Sequence, residues 1–261
     1  MARGANPSPG SKSRSGVKAG AAGKSRADAK PASAGKTRAH ADQTPDERYP
    51  ALALLEFSGV ASGVHAADAM VKKSPIALLK IGTVHPGHYL TLIGGSVASV
   101  EEAWREGLRI GADHLVDEIF LPDVHSQVHD TALGALRSPR AEALGVLEAR
   151  HTASLLGAAD AAVKACEVEL TQLRLADDLG GRAFVFLDGR LADVEAALEV
   201  GAARLGDTLL DRSLLPRLDE NLRALLADGS RYGACDLFTP AGAEPPRGAD
   251  PKIPLPLRGE D

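Results

Sequence analysis

The chain has 261 residues, 44% of them apolar and only 3% aromatic, with a net charge of -5. Cys166 and Cys235 are the only cysteines, with no CxxC or Cys/His spacing, which excludes a disulfide-stapled scaffold and a zinc module and suits a reducing cytoplasm. No apolar run approaches the ~20 residues a bilayer requires, and the N-terminus lacks the apolar stretch of a secretion signal, so no membrane partner is expected.

The charge is unevenly placed. Residues 1–42 carry nine Lys or Arg against Asp28 and Asp42, a balance of +7 that leaves -12 on the remainder. Residues 1–46 are Ala, Gly, Ser, Pro and Lys with almost no large apolar side chains, a composition that reads as a disordered basic arm. Its Gly23-Lys24-Ser25 and Gly35-Lys36-Thr37 resemble the end of a phosphate-binding loop, but Lys18 and Lys30 stand where the required earlier glycine belongs, and the motif fails. Such an arm solubilises the chain or contacts acidic cargo or nucleic acid through salt-sensitive charge pairing.

From residue 47 onward the chain repeats itself. Ala51 to Lys72 matches Ala143 to Lys164 at an offset of 92, with 12 of 22 positions identical. After a two-residue insertion the match resumes at Gly95/Gly189 and closes at Leu121-Pro122 and Leu215-Pro216. Two domains follow, at 47–138 and 139–229, then a Pro-rich tail at 230–261.

In the first repeat, Ala51 to Phe57 reads as a strand. Val60, Val64, Ala67 and Val71 fall at helical spacing until Pro75 forbids continuation. Ile76 to Val84 and Tyr89 to Ile93 are strands joined by His85-Pro86-Gly87-His88, with Gly94-Gly95 closing the hairpin. Val97 to Gly111 is a helix carrying Val100, Trp104 and Leu108 on one face. Leu115 to Leu121 is a strand that stops at Pro122, and Val124 to Leu136 is predicted as a short helix. The order βαββαβ predicts an α+β fold, two tandem ferredoxin-like domains, each a four-stranded antiparallel sheet with helices on one face.

Taken together, Ala-Leu-x-x-Leu-Glu, Ala-Ala-Asp-Ala-x-Val-Lys, the Gly-bearing loop, Gly-x-Val/Leu-x-x-Val-Glu and the closing Leu-Pro, in order and twice, resemble bacterial microcompartment shell domains. The resemblance covers about 180 residues and implies the tandem-domain class, unpermuted and single-layered. This implies a structural shell protein, not an enzyme. It would form a homotrimer that imitates a hexagon, tile with hexamers and pentamers in the cytoplasm, and surround a central pore for metabolites. The loops at that axis would be His85, Pro86, Gly87 and His88 in the first repeat, and Asp177, Asp178, Leu179, Gly180, Gly181 and Arg182 in the second. Symmetry would repeat their charges as rings. The alternative is two ordinary Gly-rich hairpin loops.

By the same resemblance Lys72 and Lys164 match a tile-edge lysine, against the plainer reading of two solvated lysines near a helix C-terminus. Arg217 matches an edge arginine, whereas Asp123 stands at that place in the first repeat. Some tandem members of the class hold an iron-sulfur cluster through a pore-loop cysteine. Neither loop here has one, so no cofactor is expected.

His125 and His129 lie four apart without a third ligand, and Cys166 follows an apolar stripe as a small hydrophobe; no metal site is expected. No nucleophile elbow, dinucleotide fingerprint or paired-carboxylate site is present. A function of a different class, a soluble ferredoxin-like sensor of a small ligand with no shell role, stands as the alternative.

Overall fold

A computed structural model describes residues 48–176, 179–227 and 229, apart from the side chains of residues 78 and 79. The basic arm, the Pro-rich tail, Asp177 and Asp178 lie outside the described residues.

The elements of the first repeat are β1 (Ala51–Phe57), α1 (Val60–Lys73), β2 (Ala77–Val84), β3 (His88–Gly95), α2 (Val97–Gly111), β4 (Leu115–Leu121) and α3 (Ser126–Ala132). The second repeat follows with β5 (Ala143–Ala149), α4 (Thr152–Ala165), β6 (Val168–Leu175), β7 (Ala183–Gly189), α5 (Leu191–Leu205), β8 (Leu209–Leu215) and α6 (Glu220–Ala227). Each repeat forms its own four-stranded sheet, ordered β2-β3-β1-β4 and β6-β7-β5-β8, with every pairing antiparallel. This is the expected α+β arrangement. No helix among the described residues is long and apolar enough to cross a membrane.

β1 is buried along all seven residues, because its two faces enter two different cores. Ala51, Ala53, Leu55 and Phe57 meet Ala66 and Met70 of α1 and Val100 and Ala103 of α2. Leu54 points the other way, into a core shared with the second repeat. A strand alternates its side chains between faces, so burial of both faces yields an unbroken apolar run. Small residues bring the helices close to the strands and to one another. A methyl group placed on Gly107 of α2 would lie 2.7 Å from the Met70 sulfur, and one on Gly201 of α5 would lie 2.4 Å from Leu147.

Two local expectations are corrected. The glycines expected to close the hairpin lie inside β3, where Gly94 and Gly95 pair with Leu52 and Ala51. The helix expected over Val124 to Leu136 covers only Ser126–Ala132. Val124 instead donates its N–H to the Pro50 carbonyl, His125 caps the helix through a bond from the Gln127 N–H, and Gly134 at φ 106° ends it.

Next to α3, the segment entering β1 is held by a near-buried ion pair. Arg48 donates to both carboxylate oxygens of Asp130, at 2.8 and 2.6 Å, and the Tyr49 N–H donates to His129 Nε2 at 3.3 Å. Burial pushes the Asp130 carboxyl up, but the Arg48 guanidinium and the adjoining His129 ring together outweigh it and hold the group below the usual aspartate range. A depressed carboxyl contributes stability above its unfolded pKa and loses it as pH falls through the folded value. Arg48→Ala is therefore expected to cost about 3 kcal/mol near neutral pH, measured by urea unfolding. The difference from the unaltered protein should shrink once pH drops below the aspartate range, and a pH-independent difference would contradict this account.

Candidate functional site

The residues expected at a pore come from two loops, and the structure brings those loops together. In the first, Gly87 at φ 95° turns the chain tightly, its N–H bonding the Val84 carbonyl at 2.9 Å. In the second, the Leu179 and Arg182 N–H groups bond the carbonyls of Ala176 and Leu179, both at 3.2 Å. Gly181 lies against the first loop: a methyl group placed on it would be 3.2 Å from Pro86 Cδ and 3.4 Å from the His85 carbonyl oxygen. With φ at 83° as well, this position admits glycine for both conformation and space. His85, Pro86, Gly87, Gly180 and Arg182 are exposed, while His88 is half-buried.

Each loop is anchored by a basic residue on a strand carboxylate. His88 Nδ1 lies 2.7 Å from Glu56 Oε1, and Arg182 Nη1 lies 3.3 Å from Glu148 Oε1. Glu56 and Glu148 occupy the same place in β1 and β5, yet their surroundings differ. Glu56 is completely buried, and its second oxygen accepts from the Thr152 N–H at 3.2 Å, at the start of α4. His151, which precedes that helix, supplies no side-chain cap. Glu56 thus caps a helix of the other repeat, where a carboxylate is favoured by the unpaired N–H groups and the helix dipole. Glu148 has a side chain 36% exposed.

Glu56 belongs to a junction where α4 packs across the face of the first sheet that α1 and α2 leave uncovered. Asp117 of β4 accepts from both the N–H and the hydroxyl of Ser154, each at 2.7 Å. Asp160 accepts the His125 N–H at 2.8 Å. The Gln127 amide meets the edge of β6, donating to the Val168 carbonyl at 3.3 Å and accepting the Leu170 N–H at 2.7 Å. The Arg137 N–H adds a bond to the Thr171 carbonyl at 2.9 Å. These groups occupy a strand edge that would otherwise be open to pairing. Between them, Leu54, Leu92, Ile119, Leu121 and Val128 share one apolar core with Leu155 and Leu156.

Of the four residues matched to a tile edge, two meet at this junction. Lys164 donates to the Asp123 backbone carbonyl and pairs with Asp160 along its own helix at 2.6 Å. Lys72 pairs with Asp68 at 2.6 Å and is 74% exposed, and Arg217 is exposed. His125 and His129 serve as a helix cap and as the acceptor for Tyr49. Among the described residues no three His, Cys, Asp or Glu are grouped to hold a metal ion. Half-buried Cys166 ends α4, where burial, with a lesser push from Asp193, raises its thiol pKa.

Sequence reasoning missed Glu56, Asp117, Ser154 and Gln127. The signal was available for the first of these: a glutamate recurs at the same place in two otherwise apolar strands.

The BMC domain family matches this chain twice, at residues 51–124 and 143–218. The chain is 33% identical to the bacterial microcompartment shell protein PduT of Citrobacter freundii, over 69% of its own length and 98% of that protein. It is 29% identical to the carboxysome assembly protein CcmO of Synechocystis, over 67% of its length and 64% of the relative. A crystal structure of a microcompartment protein from Desulfitobacterium hafniense DCB matches with a TM-score of 0.61 at 35% identity, covering 67% of this chain and 98% of that one. The chain belongs to the BMC-domain family, the shell-forming proteins of bacterial microcompartments, and carries two BMC domains in tandem.

Proposed function

We propose that three copies of this shell protein close into a ring of six domains, a flat tile of the microcompartment shell that carries out no chemistry of its own. The observation that carries the reading is the contact of the two loops at Gly181, Pro86 and His85. Loops from successive domains that touch on one side of the chain are placed to line an axis when the same step is repeated around a ring.

In such a ring His85, Pro86, Gly87, His88, Leu179, Gly180, Gly181 and Arg182, with Asp177 and Asp178, line a pore for small metabolites. The ring charges act on permeants by sign and size. His88 and Arg182 are each held by a strand carboxylate, which fixes their loops rather than leaving them to wander across the opening. Lys72, Lys164, Asp123 and Arg217 form the rim that meets neighbouring tiles, and hexameric and pentameric shell proteins are the partners. The protein then resides in the shell within the cytoplasm, and the basic arm either solubilises it or meets acidic cargo or nucleic acid.

The native mass of the purified protein should be three times that of the single chain, and electron microscopy of it mixed with a single-domain shell protein should show joint sheets or closed shells. A chain that stays single and never joins them overturns the reading. Lys72→Ala combined with Lys164→Ala should leave the native mass unchanged while abolishing joint sheets; a sensor without a shell role would be indifferent to the change. Removing the Arg182 charge exposes the Glu148 carboxylate behind it. Arg182→Ala should therefore slow entry of an anionic reporter into reconstituted shells severalfold relative to a neutral one of equal size. Equal slowing of both, or none, counts against a charged pore.

A further inference from the structure

The junction inside the chain is half of a pattern whose other half faces outward. Six residues of α4 are buried that have no buried equivalent in α1: Thr152, Ala153, Leu156, Gly157, Asp160 and Val163. At the same six helical positions α1 carries Val60, Ala61, Val64, His65, Asp68 and Val71, and every one is exposed. The strands show the converse. β4 buries Ile119 and Leu121 at the junction, whereas Asp211, Arg212 and Ser213 of β8 are all exposed. Val146, Phe184 and Phe186 stand half-exposed where Leu54, Leu90 and Leu92 line the covered face of the first sheet. Finally, α3 buries five residues, and α6 buries none.

The polar groups of the junction recur on these two outward faces. Asp117 and Ser154, which bond across the junction, correspond to Asp211 and Ser62. Glu56, which caps α4, corresponds to Glu148, and α1 begins after Gly59 with no side-chain cap. Gln127 corresponds to Asn221 on α6. One pair has changed, and it has changed in a matched way. Inside the chain Gly157 lies beneath Ile119, whose Cδ1 would be 3.1 Å from a methyl group on that glycine. On the outward faces the glycine is replaced by His65 and the isoleucine by Ser213. Large over small has become small under large.

We infer that the outer face of the β5–β8 sheet receives α1 of a second copy of this chain, with Asp211 accepting from Ser62, Glu148 capping the helix, and His65 filling the space left by Ser213. The inference rests on the ring reading above and names the surfaces that close the ring. It also gives the exchange a purpose. His65 set against Ile119 would overfill the contact, and Gly157 set against Ser213 would leave a void, so each helix fits only its own strand. Copies therefore join α1 to β8, and pairing of one copy's α1 with another's β4, or of α4 with another's β8, is disfavoured.

The test is a pair of compensating substitutions in the full chain, read as the trimer dissociation profile by analytical ultracentrifugation over a range of concentrations. Ser213 is exposed in the single chain, so Ser213→Ile should leave thermal unfolding of the dissociated protein unchanged while weakening association about tenfold or more. Ser213→Ile with His65→Gly recreates the internal pair and should restore association to within about threefold of the unaltered protein. Independently, Ser62→Cys with Asp211→Cys should give covalently linked copies under oxidation, and neither single substitution should do so. A stable trimer that ignores Ser213→Ile and yields no such linkage would overturn these surfaces and leave the ring reading standing. An unaltered protein that remains a single chain at every concentration would overturn both.

Discussion

A four-stranded sheet that carries both of its helices on one face leaves the other face bare, and the protein is organised around covering it. In the first repeat the bare face is covered by α4 of the second with α3 beside it, so Leu54, Leu92, Ile119 and Leu121 leave water although α1 and α2 lie on the opposite face. Each such side chain contributes about 1.5–3 kcal/mol when fully buried. The same requirement is unmet in the second repeat, where β8 exposes three consecutive residues. Two repeats of the same fold therefore have unequal burial.

Electrostatics gives the covered face its alignment. Apolar packing is tolerant of small slides, but a carboxylate drawn out of water, fully for Glu56 and partly for Asp117, must find donors or it is costly. Glu56 finds them in His88 and in the first N–H of α4. Asp117 finds them in the backbone and hydroxyl of Ser154. Both sets of bonds lie at the N-terminal end of α4, where its unpaired N–H groups converge. Because one Glu56 oxygen holds the loop residue His88 and the other holds α4, the position of the loop is tied to the position of the neighbouring repeat.

Much of the architecture was legible in the chain. The 92-residue offset set the number of domains, and the order of apolar runs set the sheet and its two helices. The loops at residues 85–88 and 179–182 were legible because glycine and charge punctuate them. The errors are local and have local causes: Gly94 and Gly95 read as a turn because glycine disfavours strands, but both lie buried in β3 and pair with β1. The helix after β4 was drawn too long because its Ala and Leu residues have high helix propensity, which the turn at Gly134 and the bonds from residue 137 to β6 override.

What the chain determined alone is what depends on near neighbours in sequence: strand alternation, helical periodicity, Pro75 and Pro122 as stops, and the repetition of one unit. What only the tertiary structure decided is which of two identical positions is bonded across the junction. Ser62 and Ser154, Asp117 and Asp211, and Glu56 and Glu148 are the same residue types at equivalent places, and nothing beside them in the sequence separates the one held in a junction from the one left open. The difference arises because burial is a property of what docks from a distance, and among the described helices α4, unlike its counterpart α1, docks on the sheet of the other repeat.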